Sequence, residues 1–382
     1  MNAWEKRKLG DLSTIRRGAS PRPINSPEWF SDTSSVGWLR ISDVTEQNGR
    51  IYSVAQHLSE KGQKKTLVLT KRHLILSIAA TVGKPVQNYT ALGIHDGFIV
   101  FMSPKFDLDF MFYFLEKYQP QWMRFGQPGS QVNLNSELVR NLEIRLPRRD
   151  EQEQVSKILL KLDNLIAATQ GKLDQLEMVK KALLQHLFDQ SMRFKGYSDP
   201  WEKRKLGNFV EEFVEKTTAQ NQYPVLTSSQ KYGIVLQSDY FSNRQITTNQ
   251  NIGYFVLPRN YFTYRSRSDN GIFKFNRNEI VYKGIISYFY PVFKIKKGNG
   301  DFFLELLNYS IKKQVDLESV GTGQRVLSFK KFKNISARVP EITEQEMIGQ
   351  LCKKLRDLIA ATQSKLSSLK SLKKALLQGL FI

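Results

Sequence analysis

Two stretches of the chain repeat an apolar position every seventh residue. Counting from Val155 gives Val155, Leu162, Thr169, Leu176 and Leu183, and counting from Ile348 gives Ile348, Leu355, Thr362, Leu369 and Leu376. The stripes match position for position, Thr for Thr. Ile158, Leu159, Leu165, Ile166, Leu173 and Leu187 widen the first, and Leu351, Leu358, Ile359, Leu366, Leu372 and Leu380 widen the second. Such spacing predicts long helices, each with one continuous apolar face. Each follows a Pro that closes a β-like run (EIRLP, SARVP) and opens on an acidic, Gln-rich turn (DEQEQ, EITEQE), the pattern of a helix start. The stripes are read as each other's packing partners, two long antiparallel helices forming a coiled coil. At about 1.5 Å per residue, roughly 40 residues make a rod near 60 Å.

Outside these stretches the period changes. Short β-like runs (VGWLRI, HLILSI and GFIVF; then YPVL, GIVL, GYFVL and EIVYKGIISYFYPVFKI) alternate with polar loops bearing Gly and Pro. Helical patterns appear near 107–118 and 301–313. The chain thus divides into a mixed α/β (α+β) domain at 1–147, a helical segment at 148–190, a linker at 191–200, a second α/β domain at 201–340 and a second helical segment at 341–382.

The halves are copies at their edges. WEKRKLGDL at 4–12 returns as WEKRKLGNF at 201–209, LIAATQ recurs at 165–170 and 358–363, and KKALLQHLF at 180–188 is answered by KKALLQGLF at 373–381. Between these markers the halves do not align. Shared ends bracket divergent middles, a pseudo-two-fold internal repeat.

Charge separates the parts further. The formal net charge is +21 with a sequence pI near 9.8, which calls for a polyanionic partner, nucleic acid first. The first helical segment balances its charges and the second carries a small basic excess, so all but three of these charges lie elsewhere. Membrane-surface helices would reverse that distribution. The single Cys352 leaves no disulfide framework or zinc cluster and fits a reducing cytoplasm. The start, MNAWEKRK, has no apolar signal segment, and the apolar runs fall short of a membrane span, so a soluble protein is expected.

RFKGYSDPWEKRKLG (193–207) resembles the junction before the second domain of type I restriction-modification specificity subunits. RRGASPRPI, VGWLRISDV, SIAATVGK and GSQVNLNSELVRNLEIRLPRRDEQEQ in the first half resemble one class of target-recognition domain. YPVLTSSQKYGIVLQSDYF, EIVYKGIISYFYPVFKI and GTGQRVLSFKKFKNISARVPEITEQE in the second resemble another. The resemblance covers essentially the whole chain. It implies two target-recognition domains in tandem and a bipartite, asymmetric site on double-stranded DNA. It also implies two partner modification subunits, which methylate adenine at N6, and restriction (motor-nuclease) subunits. The chain itself would be non-catalytic and hold no cofactor or metal. Consistently, it lacks a Walker A pattern, G-x-G-x-x-G and an adenine-methyltransferase motif, and His57, His73, His95 and His186 form no metal-spaced pair. The rival readings are a stand-alone DNA-binding regulator and a nuclease or methyltransferase whose catalytic residues escape recognition.

Reading base edges calls for Arg or Lys against guanine and Asn or Gln against adenine, with other cations on phosphates. Candidates in polar loops are Arg16, Arg17, Arg22, Lys84, Gln127, Gln131 and Asn133 in the first domain, and Ser228, Lys231, Arg265, Arg267, Lys283 and Arg325 in the second. For any one of them a solvated surface role weighs at least as much. Glycines at 18, 83, 126, 129, 284, 321 and 323 are candidate turns beside phosphate. The aromatic runs at 261–264 and 288–290 are read mostly as core.

Overall fold

The computed structural model describes residues 4–122, 124, 134–241, 250–321 and 323–381. Contacts divide the chain into two compact units. The first comprises Met1–Gln170 with Ser364–Ile382, and the second comprises Gly171–Gln363.

Both long helices form, Arg149–Phe188 and Ile342–Leu380. Of the sevenfold stripe, Val155, Leu162, Thr169, Ile348 and Thr362 are buried, while Leu176, Leu183, Leu355, Leu369 and Leu376 are half-buried. Each threonine hydroxyl turns back to donate to a carbonyl of the preceding turn, Thr169 to Leu165 and Thr362 to Leu358, both at 2.7 Å. A polar residue is thereby carried on an apolar face without an unpaired donor.

The repeated ends of each half prove to be partners. Strand Glu5–Lys8 pairs antiparallel with Glu143–Leu146, and Glu202–Lys205 pairs with Ser336–Val339, so the first strand of each half is clasped to the strand that feeds its long helix. Both EKRK strands are exposed at every residue. No alternation announces them; backbone pairing alone holds them as strands. Trp4 donates through Nε1 to Glu151 at 3.1 Å, and Trp201 donates to Glu344 at 3.2 Å, tying each clasp to the first turn of its helix.

The shared framework runs further than the sequence repeat. Gln152 donates to the Pro147 carbonyl at 2.8 Å and accepts from the Asp107 amide at 2.8 Å; Gln345 does the same with Pro340 at 2.9 Å and Asn299 at 3.1 Å. Asp107 and Asn299 in turn cap helices inside the divergent middles, Leu108–Trp122 and Gly300–Glu305, accepting from the amides of Phe110 and Phe302. Both glutamines are buried. Gln152→Ala and Gln345→Ala should each leave a buried carbonyl and amide unpaired and cost about 2 kcal/mol. Urea denaturation checks this, and a cost near zero in both would deny the glutamines that role.

Between clasp and helix the units differ. The first contains a five-stranded sheet in the order Thr14–Arg17, Phe98–Met102, Leu74–Ser77, Pro85–Asn88, Arg50–Ile51, and a three-stranded sheet of Gly37–Trp38, Leu92–Ile94 and Leu67–Leu69. The second contains a four-stranded sheet in the order Val210–Glu212, Val292–Ile295, Phe262–Tyr264, Phe275–Arg277, with separate two-stranded ladders. VGWLRI is not one strand: only Gly37–Trp38 pairs, and Ile41 begins a helix to Glu46. The helical pattern at 107–118 forms as Leu108–Trp122, whereas that at 301–313 splits into Gly300–Glu305, a π-turn at Leu306–Ser310 and Lys312–Glu318.

Each unit closes its core with the far end of a long helix. In the first, Phe381 and Trp4 both pack on Phe110, with ring centroids at 5.1 and 5.9 Å. In the second, Phe188 and Trp201 pack on Phe302, at 5.9 and 5.8 Å.

Candidate nucleic-acid interface

In the first unit Arg16 and Arg17 lie exposed on strand Thr14–Arg17, held by pairing with Phe98–Met102. The chain then crosses close over the turn at 94–97. A Cβ on Gly18 would meet the His95 carbonyl oxygen at 2.1 Å, so only glycine permits the crossing. Gly18 is therefore spent on backbone packing, not on room for a phosphate. The crossing gathers a cluster on Asp96. Arg17 donates to its carbonyl at 2.7 Å, Ser20 to one carboxylate oxygen at 2.7 Å, and Arg22 to the other at 3.0 Å. The Ser20 hydrogen bond, foremost, holds the Asp96 carboxyl below the usual carboxylate range.

Lys84 sits elsewhere, bonded to Asn48 at 2.8 Å. Burial lowers its pKa, and Glu116 and Lys373 act on it electrostatically. Its partners are thus those of a helix-end cluster rather than the Asp96 cluster. Gln127, Gln131 and Asn133, with Gly126 and Gly129, lie outside the described residues.

In the second unit a short ladder brings distant candidates together. Arg267–Ser268 pairs with Arg325–Val326, with Arg267 opposite Val326 and Ser268 opposite Arg325. Arg267 lies over the Phe289 ring at 4.8 Å, and Arg265 meets Asp269 at 3.3 Å. Gln324, which side-chain chemistry alone could have nominated as an adenine reader, donates to Asp269 at 2.6 Å. Arg325 is partly committed, donating to the carbonyls of Asp316 and Ser319. Ser228 accepts from Asn276 at 2.8 Å and so braces two strands. Lys231 is exposed beside the Tyr232 ring at 5.1 Å, and Lys283 is paired with Glu215 at 3.0 Å. Of the aromatic runs, Phe262 and Tyr264 are core, while Tyr288 is 58% exposed.

Among the described residues no group of His, Cys, Asp and Glu is placed to hold a metal, and no helix is long and apolar enough to cross a membrane. What the structure offers is two exposed basic clusters on divergent domains, each stiffened by one aspartate. That is chemistry for recognition of an anionic, edge-patterned ligand.

The type I restriction modification DNA specificity domain matches residues 1–178 and again 198–371. The chain belongs to that family. It is 22% identical to the putative type I restriction enzyme MjaX specificity subunit of Methanocaldococcus jannaschii, across 98% of this chain and 92% of that one. It is 23% identical to the MjaVIII specificity subunit of the same organism, across 70% and 68%. In fold it is similar to the type I restriction-modification S subunit from M. genitalium, with a TM-score of 0.66 at 15% identity, covering 99% of this chain and 96% of that one. The protein is a DNA-sequence specificity subunit, a non-catalytic member of a restriction-modification complex.

Proposed function

We propose that each domain reads one half of a bipartite, asymmetric DNA site, and that the paired long helices set the gap between the halves. The observation that carries this is the common clasp around different contents. Two copies of one frame hold unlike sheets and unlike basic clusters, as two different half-sites require. The domain limits of 1–147 and 201–340, the helical segments and the linker at 191–200 are part of this proposal.

Antiparallel pairing of the helices is supported separately within each unit. In the first, Lys373 of the second helix meets Asp163 of the first at 2.8 Å and Glu116 at 3.2 Å. In the second, Lys180 of the first helix and Arg356 of the second converge on Glu305, at 3.4 and 2.7 Å. Residue numbers 163 and 373 add to the same total as 180 and 356, as one antiparallel register demands. The repeat exchanges the two pairs, the expected mark of a pseudo-two-fold.

On this reading the subunit acts in the cytoplasm, presenting its site to two modification subunits that methylate adenine at N6 and to restriction subunits. Arg16, Arg17 and Arg22 serve the first half-site and Lys231, Arg265, Arg267 and Arg325 the second. Lys84, Ser228 and Lys283, already bonded within the protein, act at most by supporting others. Exchanging residues 13–145 for the corresponding segment of another family member should change one half-site and leave the other intact. Sequencing the methylated sites of cells carrying the hybrid reads the outcome. A change in both halves would rule out domain-wise reading.

A further inference from the structure

We infer that Asp96 and Asp269 are positioning residues for DNA reading: each holds an arginine and a neutral hydrogen-bonding side chain in a set orientation without itself touching DNA. The inference rests on the reading of these two clusters as DNA-facing.

An exposed carboxylate is out of place on a surface meant for phosphates, since it repels the ligand that the surrounding cations attract. Yet each cluster is built around one. Asp96 takes Ser20 on Oδ1 and Arg22 on Oδ2, and Asp269 takes Gln324 on Oδ1 and Arg265 on Oδ2. The pattern is the same, one neutral donor and one guanidinium on opposite oxygens, although the loops that supply it are unrelated. Stability does not explain it. Arg22 and Arg265 are 72% and 52% exposed, and ion pairs so open to water contribute little to folding. Pre-ordering does explain it. Arginine has many rotamers, and fixing its planar fork before the encounter spares that entropy on binding and sharpens the match to a base edge. Hydrogen bonds from Ser20 and Gln324 keep both carboxyls below the usual carboxylate range, hence charged at neutral pH.

The test uses the chain assembled with its modification subunits, methylating a set of duplexes that carry every single substitution in the recognised site. Asp269→Asn should lower discrimination about tenfold at one or two adjacent bases of the second half-site and leave the first unchanged. Binding to unrelated DNA should rise about two- to threefold, because a repelling charge is gone. Asp96→Asn should do the same for the first half-site. Asp269→Asn should add nothing in an Arg265→Ala, Gln324→Ala background, because a positioning residue acts only through what it positions. A further loss in that background would mean that the carboxylate contacts a base, and overturns the inference. So does unchanged discrimination in Asp269→Asn where Arg265→Ala relaxes the site, or a uniform loss at all positions with a lowered melting temperature. If Arg265→Ala and Arg22→Ala themselves leave the site unaltered, the DNA-facing reading of the clusters fails, and the inference with it.

Discussion

Glu344→Ala should destabilise the second unit by about 3 kcal/mol, while Glu151→Ala, at the equivalent position of the repeat, should cost less than about 1 kcal/mol. Glu344 is almost wholly buried and accepts two hydrogen bonds from Arg193, at 2.7 and 2.9 Å, besides the one from Trp201. Arg193 is itself only 15% exposed and lies 5.9 Å from the Trp201 ring centroid. Removing the carboxylate takes the ion-pair partner from a largely covered guanidinium, which keeps only its 3.0 Å bond to the Asp199 carbonyl among the described residues, and leaves an indole N–H unpaired. Glu151 is exposed and, among the described residues, receives only the Trp4 indole, so water replaces what its loss removes. Denaturation followed by tryptophan fluorescence should show a lower midpoint for Glu344→Ala and little movement for Glu151→Ala. Equal costs at the two sites would mean that the arginine is not what makes the second carboxylate important.

Inserting four residues after Thr169, a second IAAT, should move the preferred gap of the DNA site by one or two base pairs with both half-sites unchanged. Four residues add about 6 Å of helix and a little over one turn, so the apolar face is nearly kept. DNA advances about 3.4 Å per base pair. Two inserted residues should act very differently, because they rotate the stripe by about 200° and separate Asp163 from the register that serves Lys180. That variant should fail to assemble or methylate. Methylation on duplexes whose gap varies one base pair at a time decides the matter. An active four-residue insertion with an unmoved optimum would remove the helices from gap-setting and leave them as a docking element.

The long helices were legible in the sequence because a sevenfold stripe from Val155 to Leu183 and from Ile348 to Leu376 has few other structural meanings. The clasp strands were not, though their sequence was conspicuous as a repeat. EKRK has no buried face, and only the backbone ladder to residues about 140 positions later makes it a strand. VGWLRI misled in the opposite sense, since its apolar run serves a two-residue strand and then the start of a helix. At the candidate interface, residue type nominated individual side chains but not their company. Lys84 and Lys283 carry the charge expected of a reader and are engaged within the protein. Gln324 went unnamed, although it shares a carboxylate with Arg265, because the contact spans 55 residues and depends on the Arg267–Arg325 ladder. Likewise the correspondence of Asp107 with Asn299 is invisible to alignment. It is defined by the bond each makes to a glutamine on the following helix.

The clasp has a consequence for how such a chain changes over generations. Because Glu5–Lys8 is zipped to Glu143–Leu146, and Glu202–Lys205 to Ser336–Val339, the insert in each half leaves and returns through one narrow gateway. What lies beyond the gateway can be a five-stranded sheet or a four-stranded one, so long as its ends fit and it offers the glutamine and the helix end the partners that Asp107 with Phe110 and Asn299 with Phe302 supply. If each domain reads its own half-site as proposed, exchanging a whole cassette between its two gateway strands would replace one half of the address and leave the other untouched, with no intermediate that mixes an old half-word with a new one.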